Sequence, residues 1–308
     1  MISYFIRRFL HSLIVLVIVT MCAFMLIRLA PGSPARMMLP DTATEEQVLR
    51  LEQHLNLDKP LYFQFWTYVK GLLHGDLGHS TAYRQPVARI IAQRLPFTIQ
   101  LAVGTVLLGT IMAIPLGIVA GANRGKLIDF FAMVFALLGQ SMANVWMAIL
   151  LIFIFSVRLG WLPALGTGGL RYMVLPVFTL GYSLAAVITR VARSGMIDTL
   201  SEDYIVATYA KGIGHFEVIT KYALRNALIP VITIIGVNLG VHLSGSVVVE
   251  TVFAWSGIGQ LMNQSVNSRD YAMVQSLLLI SAFLFTLINF IVDIINSFID
   301  PRLSLMEK

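Results

Sequence analysis

The sequence predicts an all-α, polytopic membrane protein with about six transmembrane helices. Three observations predict it. Hydrophobic residues make up 57% of the 308-residue chain and charged residues 12%, whereas a soluble domain carries about 25% charged residues. Six segments stay apolar over the roughly 17–25 residues that cross a bilayer as a helix. Lysine and arginine are shared unevenly among the loops between them, as the positive-inside rule demands. A chain this apolar lacks the polar groups to cover itself in water, so lipid must be its solvent.

The first segment, 9–29, follows Arg7 and Arg8 and precedes small residues, which imitates a secretory leader. Its apolar run of about 20 residues exceeds the 7–15 of a leader, so it reads as an uncleaved first span. With the N-terminus it makes up 1–30, and a hydrophilic insertion, 31–95, follows. Within it Asp41 and Thr44 are candidate caps for TEEQVLRLEQHL, where Val48, Leu51 and Leu55 recur at helical spacing. A second amphipathic piece, PVARIIAQRL, leads into span two. Span two, 97–121, contains Pro115 and several glycines. Span three, 130–157, is longer than a crossing needs and must tilt or bend. Span four, 173–193, contains Pro176 and Gly181. Proline and glycine are tolerated in spans where neighbouring helices re-satisfy the backbone, so these spans belong to a bundle. Residues 194–227 read as helix, glycine turn at Gly212 and Gly214, and helix. Spans five and six cover 228–252 and 274–299, which completes a five-helix core over 96–300 and leaves a tail, 301–308.

Orientation follows from the basic residues. Arg7, Arg8, Arg124, Lys126, Arg190, Arg193, Lys211, Lys221, Arg225, Arg302 and Lys308 fall on one side. The opposing short loops hold only Arg158, Arg171 and Arg269. Both termini and 194–227 are therefore expected to be cytoplasmic, with 31–95 outside. The net charge of +6 is spread among loops. No basic helix or aromatic-interleaved basic stripe offers a nucleic-acid surface.

Little in the chain suggests chemistry of its own. Cys22, the one cysteine, lies in the first span and can build neither a disulfide framework nor a zinc cluster. His74 and His79 flank Asp76 in HGDLGHS, and His11, His54, His215 and His242 stand apart. None makes a standard ligand set, so no metal site is expected. GANRGKL, 121–127, has three residues between its glycines where a phosphate loop needs four. Leu127 also stands where Ser or Thr must hold magnesium.

Polar residues inside spans are costly in lipid and face a cavity or a partner. Gln140, Ser141 and Asn144 form a polar patch along span three. Glu250 lies near the outer end of span five, and Asp293 shares one face of span six with Asn289 and Asn296. Two readings stay open: a wet translocation path, or hydrogen bonds between helices. Gly236, Gly240 and Ser244 form a small-residue ridge suited either to a subunit interface or to internal packing. Arg28 is placed to snorkel to the surface.

The 194–227 loop uses far more residues than a turn requires. It either docks a partner or lies on the membrane surface. Its DYIVATYAKGIGHFEVITKYALRNALIPVI resembles the cytoplasmic loop by which permease subunits of ATP-binding-cassette importers meet their ATPases, in the dipeptide, oligopeptide and nickel branch. GDLGHS followed by PVARIIAQRLPFTIQLA, then SVVVETVFAWSGIGQLMNQSVNSRDY, then IVDIINSFIDPRL resemble further stretches of that family in the same order. The likeness covers essentially the whole chain. Of the motif's three naming positions, Val206, Ala207 and Thr208, only Ala207 is kept. Arg225 and Ala143 stand where the family has proline, and Ser256 replaces the proline between Trp255 and Gly257.

The resemblance implies a type I ABC importer permease bundle in a bacterial inner membrane. It implies that Asp203, Tyr204, Ala207, Ala210, Lys211 and Gly212 sit in a groove of a cytoplasmic ATPase. It implies a second homologous permease, two ATP-binding subunits and an external solute-binding protein. ATP and magnesium would be used by the ATPases, with no cofactor bound by this chain. The expected solutes are di- or oligopeptides, with nickel, glutathione or another small solute as alternatives. A stand-alone secondary transporter or channel would need midplane ion sites and often inverted repeats. The chain has few midplane acids, no repeat, and no nucleophile–base set for an intramembrane enzyme.

Overall fold

The computed structural model describes residues 2–29, 36, 44–54 and 58–299. The expected 301–308 tail and the Asp41 cap lie outside these residues, and the side chain of Arg28 lies outside those described. Among the described residues the fold is helical, with one isolated bridge between His79 and Pro86.

The first helix, α1 (Ile2–Leu29), packs along the last, α13 (Tyr271–Ile299). Phe9 meets Phe290 edge-on, with ring centroids 6.2 Å apart. Helix α2 (Glu45–His54) opens with a capping box, since Thr44 N–H donates to Gln47 Oε1 at 3.0 Å and Gln47 N–H to Thr44 Oγ1 at 3.4 Å. Helix α3 (Leu61–Leu73) sets Phe65 and Tyr68 against Phe24 of α1. The HGDLGHS stretch is a turn, in which Gly78 N–H donates to Asp76 Oδ1 at 2.9 Å.

Helix α4 (Val87–Ala122) runs 36 residues without a break, about 54 Å at 1.5 Å per residue. The amphipathic segment and span two, expected as separate pieces, are one rod through Pro96 and Pro115. Helix α4 crosses α7 (Leu170–Leu200) at close range. A Cβ added at Gly117 would come within 2.8 Å of the Thr189 carbonyl oxygen, and one at Gly121 within 2.9 Å of that of Arg193. In lipid such van der Waals packing, rather than expulsion of water, holds helices together.

Span three is broken. Helices α5 (Leu127–Ser141) and α6 (Asn144–Arg158) meet at 100°. The last two turns of α6, from Ile152, are wound as a π-helix. After α7 come two short helices, α8 (Asp203–Ala210) and α9 (His215–Ala227), then α10 (Ile229–Leu243), bent 48° from α9. Span five therefore ends at Leu243, not at 252 as expected. Gly245, at φ +97°, turns the chain into α11 (Val247–Val252) and α12 (Ile258–Asn267).

The ridge on α10 serves internal packing. Gly236 faces Val292 and Gly240 faces Phe285 of α13. The hydroxyls of Ser244 and Ser281 each donate to the other's carbonyl, at 3.3 and 3.0 Å. Among the described residues four helices are long and apolar enough to cross a membrane, and up to six spans result if each bent pair counts as one.

Candidate coupling site

Only Ser201 and Glu202 separate α7 from α8, so the short helix follows the long one directly. Ile205 and Thr208 turn inward. Ile205, fully buried, joins Met196 of α7 and Val218, Ala223 and Ala227 of α9 in one apolar cluster. Tyr204 Oη accepts from Asn226 Nδ2 at 2.8 Å, and the Tyr209 hydroxyl meets His215 Nδ1 at 2.6 Å with the rings stacked. Both tyrosines thus fasten α8 to α9. Gly212 ends α8 at φ +77°, its N–H donating to Tyr209 O at 2.9 Å. This is the left-handed helix end that glycine adopts most readily.

All six residues expected at the docking surface, Asp203, Tyr204, Ala207, Ala210, Lys211 and Gly212, lie exposed on α8 and its end. Ile205, which stands between Tyr204 and Ala207, is scaffold instead. Two apolar side chains outside the expected set share this exposed region: Val206 at 60% and Phe216 at 81% exposure. Phe216, Ile219 and Ala223 recur at helical spacing on α9, yet of the three only Ala223 is fully buried.

The expected path residues divide among three places. Gln140, Ser141 and Asn144 flank the break in span three, where Met142 and Ala143 are extended. Gln140 and Ser141 are exposed and Asn144 is half-buried. A helix end and a helix start meet there, leaving carbonyl and N–H groups free of helical partners.

Glu250 is fully buried on α11. Its carboxylate accepts from Gln260 N–H at 2.9 Å, Ser246 N–H at 3.2 Å and the Thr98 hydroxyl at 3.4 Å. Thr98 Oγ1 accepts in turn from Ile258 N–H at 2.8 Å, and the Trp255 indole donates to Phe97 O at 2.9 Å. The result is a brace joining α4, α11 and α12. Gly257 has no room for a side chain beside Thr98 and Glu250.

Asp293 pairs with Arg8 Nη1 at 3.1 Å, tying α13 to α1. Sequence reasoning passed over a further acid, Asp270, which is fully buried. It accepts from the Ser80 hydroxyl, from Ala82 N–H at 3.3 Å and from Met273 N–H at 3.2 Å. Asp270 thereby caps α13 and anchors the 31–95 insertion to it. An aspartate just ahead of an apolar run is the local pattern that marks such a cap. Among the described residues no three His, Cys, Asp or Glu side chains converge as metal ligands.

Comparison with known proteins accords with this arrangement. Residues 113–305 match the family described as binding-protein-dependent transport system inner membrane component, and residues 1–102 match its N-terminal companion. The glutathione transport system permease protein GsiC of Escherichia coli O6:H1 is 40% identical over 98% of this chain and 99% of its own. The same-named protein of Salmonella paratyphi A is 39% identical over the same shares. The inward-facing MetNI methionine ABC transporter shares the fold, with a TM-score of 0.57 and 18% identity over 68% of this chain and 96% of that one. An amino acid ABC transporter with histidines gives a TM-score of 0.53 at 17% identity, over 70% and 94% of the two chains. The chain belongs to the binding-protein-dependent inner membrane components: it is an ABC importer permease of the dipeptide, oligopeptide and nickel type.

Proposed function

We propose that this permease forms half of an alternating-access path for short peptides, driven by ATPases that bind at α8. The observation that carries the proposal is the division of labour within α8. Ile205 and Thr208 hold it to the bundle, while Asp203, Tyr204, Ala207, Ala210 and Lys211 remain exposed. A helix held firmly on one face and exposed on the other suits a partner that pushes on it.

In this reading two ATP-binding subunits meet the 194–227 loop and its counterpart on a second, homologous permease. ATP and magnesium belong to those subunits, and this chain contributes no hydrolytic group. A solute-binding protein delivers cargo at the opposite face, which includes the 31–95 insertion. Both termini lie in the cytoplasm, in line with the basic residues that flank the spans. Gln140, Ser141 and Asn144 border the path at the break in span three. Glu250 and Asp293, whose carboxylates are already engaged, help shape it. Relatives carry the name of a glutathione transporter, and glutathione is itself a tripeptide. The proposed cargo is therefore peptides of that size, glutathione included.

The test is co-purification of the detergent-solubilised chain with its ATPases, followed by uptake into vesicles holding the whole assembly. ATP-dependent uptake of labelled glutathione or a short peptide supports the proposal. Uptake that persists without ATP and without any ATPase overturns it.

A further inference from the structure

One ion pair, between a buried acid and a half-buried arginine, has no part in the reading so far. Asp129, in the first turn of α5, is 5% exposed. Both its oxygens meet Arg193 of α7: Oδ1 accepts from Nε, and Oδ2 accepts from Nη2 at 2.8 Å. Oδ2 also accepts from Gly125 N–H at 2.9 Å, so the turn between α4 and α5 is fixed to the same point. A basic residue that only sets topology has no need of this. It would stay in water, because burying a charge costs free energy unless a well-placed partner offsets it. The paired, two-point contact defines direction as well as distance.

We infer that Asp129 and Arg193 are positioning residues that lock α5 to α7, so that movement of α8 reaches the break in span three. The inference rests on the docking role proposed for α8. Arg193 lies about two helical turns before the end of α7, which Ser201 and Glu202 join to α8. Further along, α5 is held to α7 again. The Tyr182 hydroxyl donates to Phe135 O at 3.3 Å, their rings lie 4.9 Å apart edge-on, and Gly139 has no room for a side chain against Ala186. Beyond the break, α6 packs Ala148 and Leu151 into a cluster with Leu175, Val177 and Leu180 of α7 and with Val249 and Phe253 at α11. Both halves of the broken span are thus held to α7, and the lock ties α5 to it up to the break at Met142 and Ala143, beside Gln140, Ser141 and Asn144. Two packed helices of this kind carry coupling as a rigid unit that both ends can bias.

The experiment uses the full assembly in vesicles and reads ATPase association, ATP hydrolysis and uptake for each variant. Asp129→Asn and Arg193→Lys remove the two-point contact, the second while keeping the charge. The double exchange Asp129→Arg with Arg193→Asp restores opposite charges. With association and hydrolysis retained, uptake should fall about tenfold in each single variant, a coupling loss of the size such networks show. Partial recovery in the exchange variant supports the lock. Uptake and hydrolysis that both track the amount of protein recovered, or uptake that does not change, overturn it. Where the single variants fail to accumulate, an exchange variant that accumulates and couples hydrolysis to uptake at least in part supports the inference, and one that accumulates no better than the single variants overturns it. Failure of the unaltered chain to bind ATPases would instead bring down the docking role, and this inference with it.

Discussion

The two ends of the bundle use buried carboxylates in different ways. At the end bearing α11 and α12, Glu250 and Asp270 are wholly buried and accept from hydroxyls and backbone N–H groups. Those donors are backbone N–H groups of nearby turns and helix starts together with the distant Thr98 and Ser80 hydroxyls, so the acids tie local turns to other elements. At the α8 end, Asp129 meets an arginine on another long helix. That pair fixes the placement of rods relative to each other. The surfaces differ in the same sense. The family-like stretch at one end hides Trp255, Phe253 and Ile258 inside, whereas the stretch at the other end leaves most of α8 open. The two family-like stretches thus differ physically: one is kept together by its own hydrogen bonds, and one leaves a helix face exposed.

Four substitutions can break or sharpen this contrast. The largest effect on stability is expected from Glu250→Ala, which strands Ser246 N–H, Gln260 N–H and the Thr98 hydroxyl. Thermal unfolding in detergent should show a loss of about 3 kcal/mol or more. Near-normal stability would deny the brace. Next is Gly236→Leu, whose side chain would enter Val292; forcing volume into a packed contact costs roughly 1–3 kcal/mol, read by the same assay. Gly212→Asp should cost about 1 kcal/mol, because the left-handed backbone disfavours a side chain. Its spans should insert normally, as protease protection would report, while ATPase association is lost. Unaffected association would count against the docking surface. The smallest effect belongs to Asp293→Asn. The Arg8 pair is partly exposed, and such pairs contribute at most about 1 kcal/mol.

The helical, multi-span architecture was legible because lipid imposes length and apolarity on each span directly. The α2 cap was legible because Thr44 and Gln47 sit at the fixed spacing of a capping box. The exposed short helix carrying Asp203 to Gly212 was legible because Gly212 marks the helix end and the motif sets the count back from it. The sharp break at Met142–Ala143 was not located. Ala143 stands where the family has proline, and the bend is instead accompanied by close packing of Gly139 against Tyr182 and Ala186 on another helix. The end of span five was hidden because apolar residues resume after Ser244, Gly245 and Ser246, and hydropathy alone ran across the turn. The partner of the Gly236 ridge was undecidable, since small residues record closeness without saying to what. The Asp129–Arg193 pair was invisible because its members stand 64 residues apart, and each alone reads as a loop charge.

The central claim, that α8 is where force enters the permease, is open to one direct measurement. Replace Cys22 by serine, place a single cysteine at Ala207 or, in a second chain, at Asn267, and treat the whole assembly in vesicles with a thiol-to-amine cross-linker. Both positions are exposed, one on α8 and the other at the end of α12. The expected result is an ATPase adduct from Ala207→Cys, altered by ATP, and none from Asn267→Cys. An ATPase adduct from Asn267→Cys alone would contradict the account.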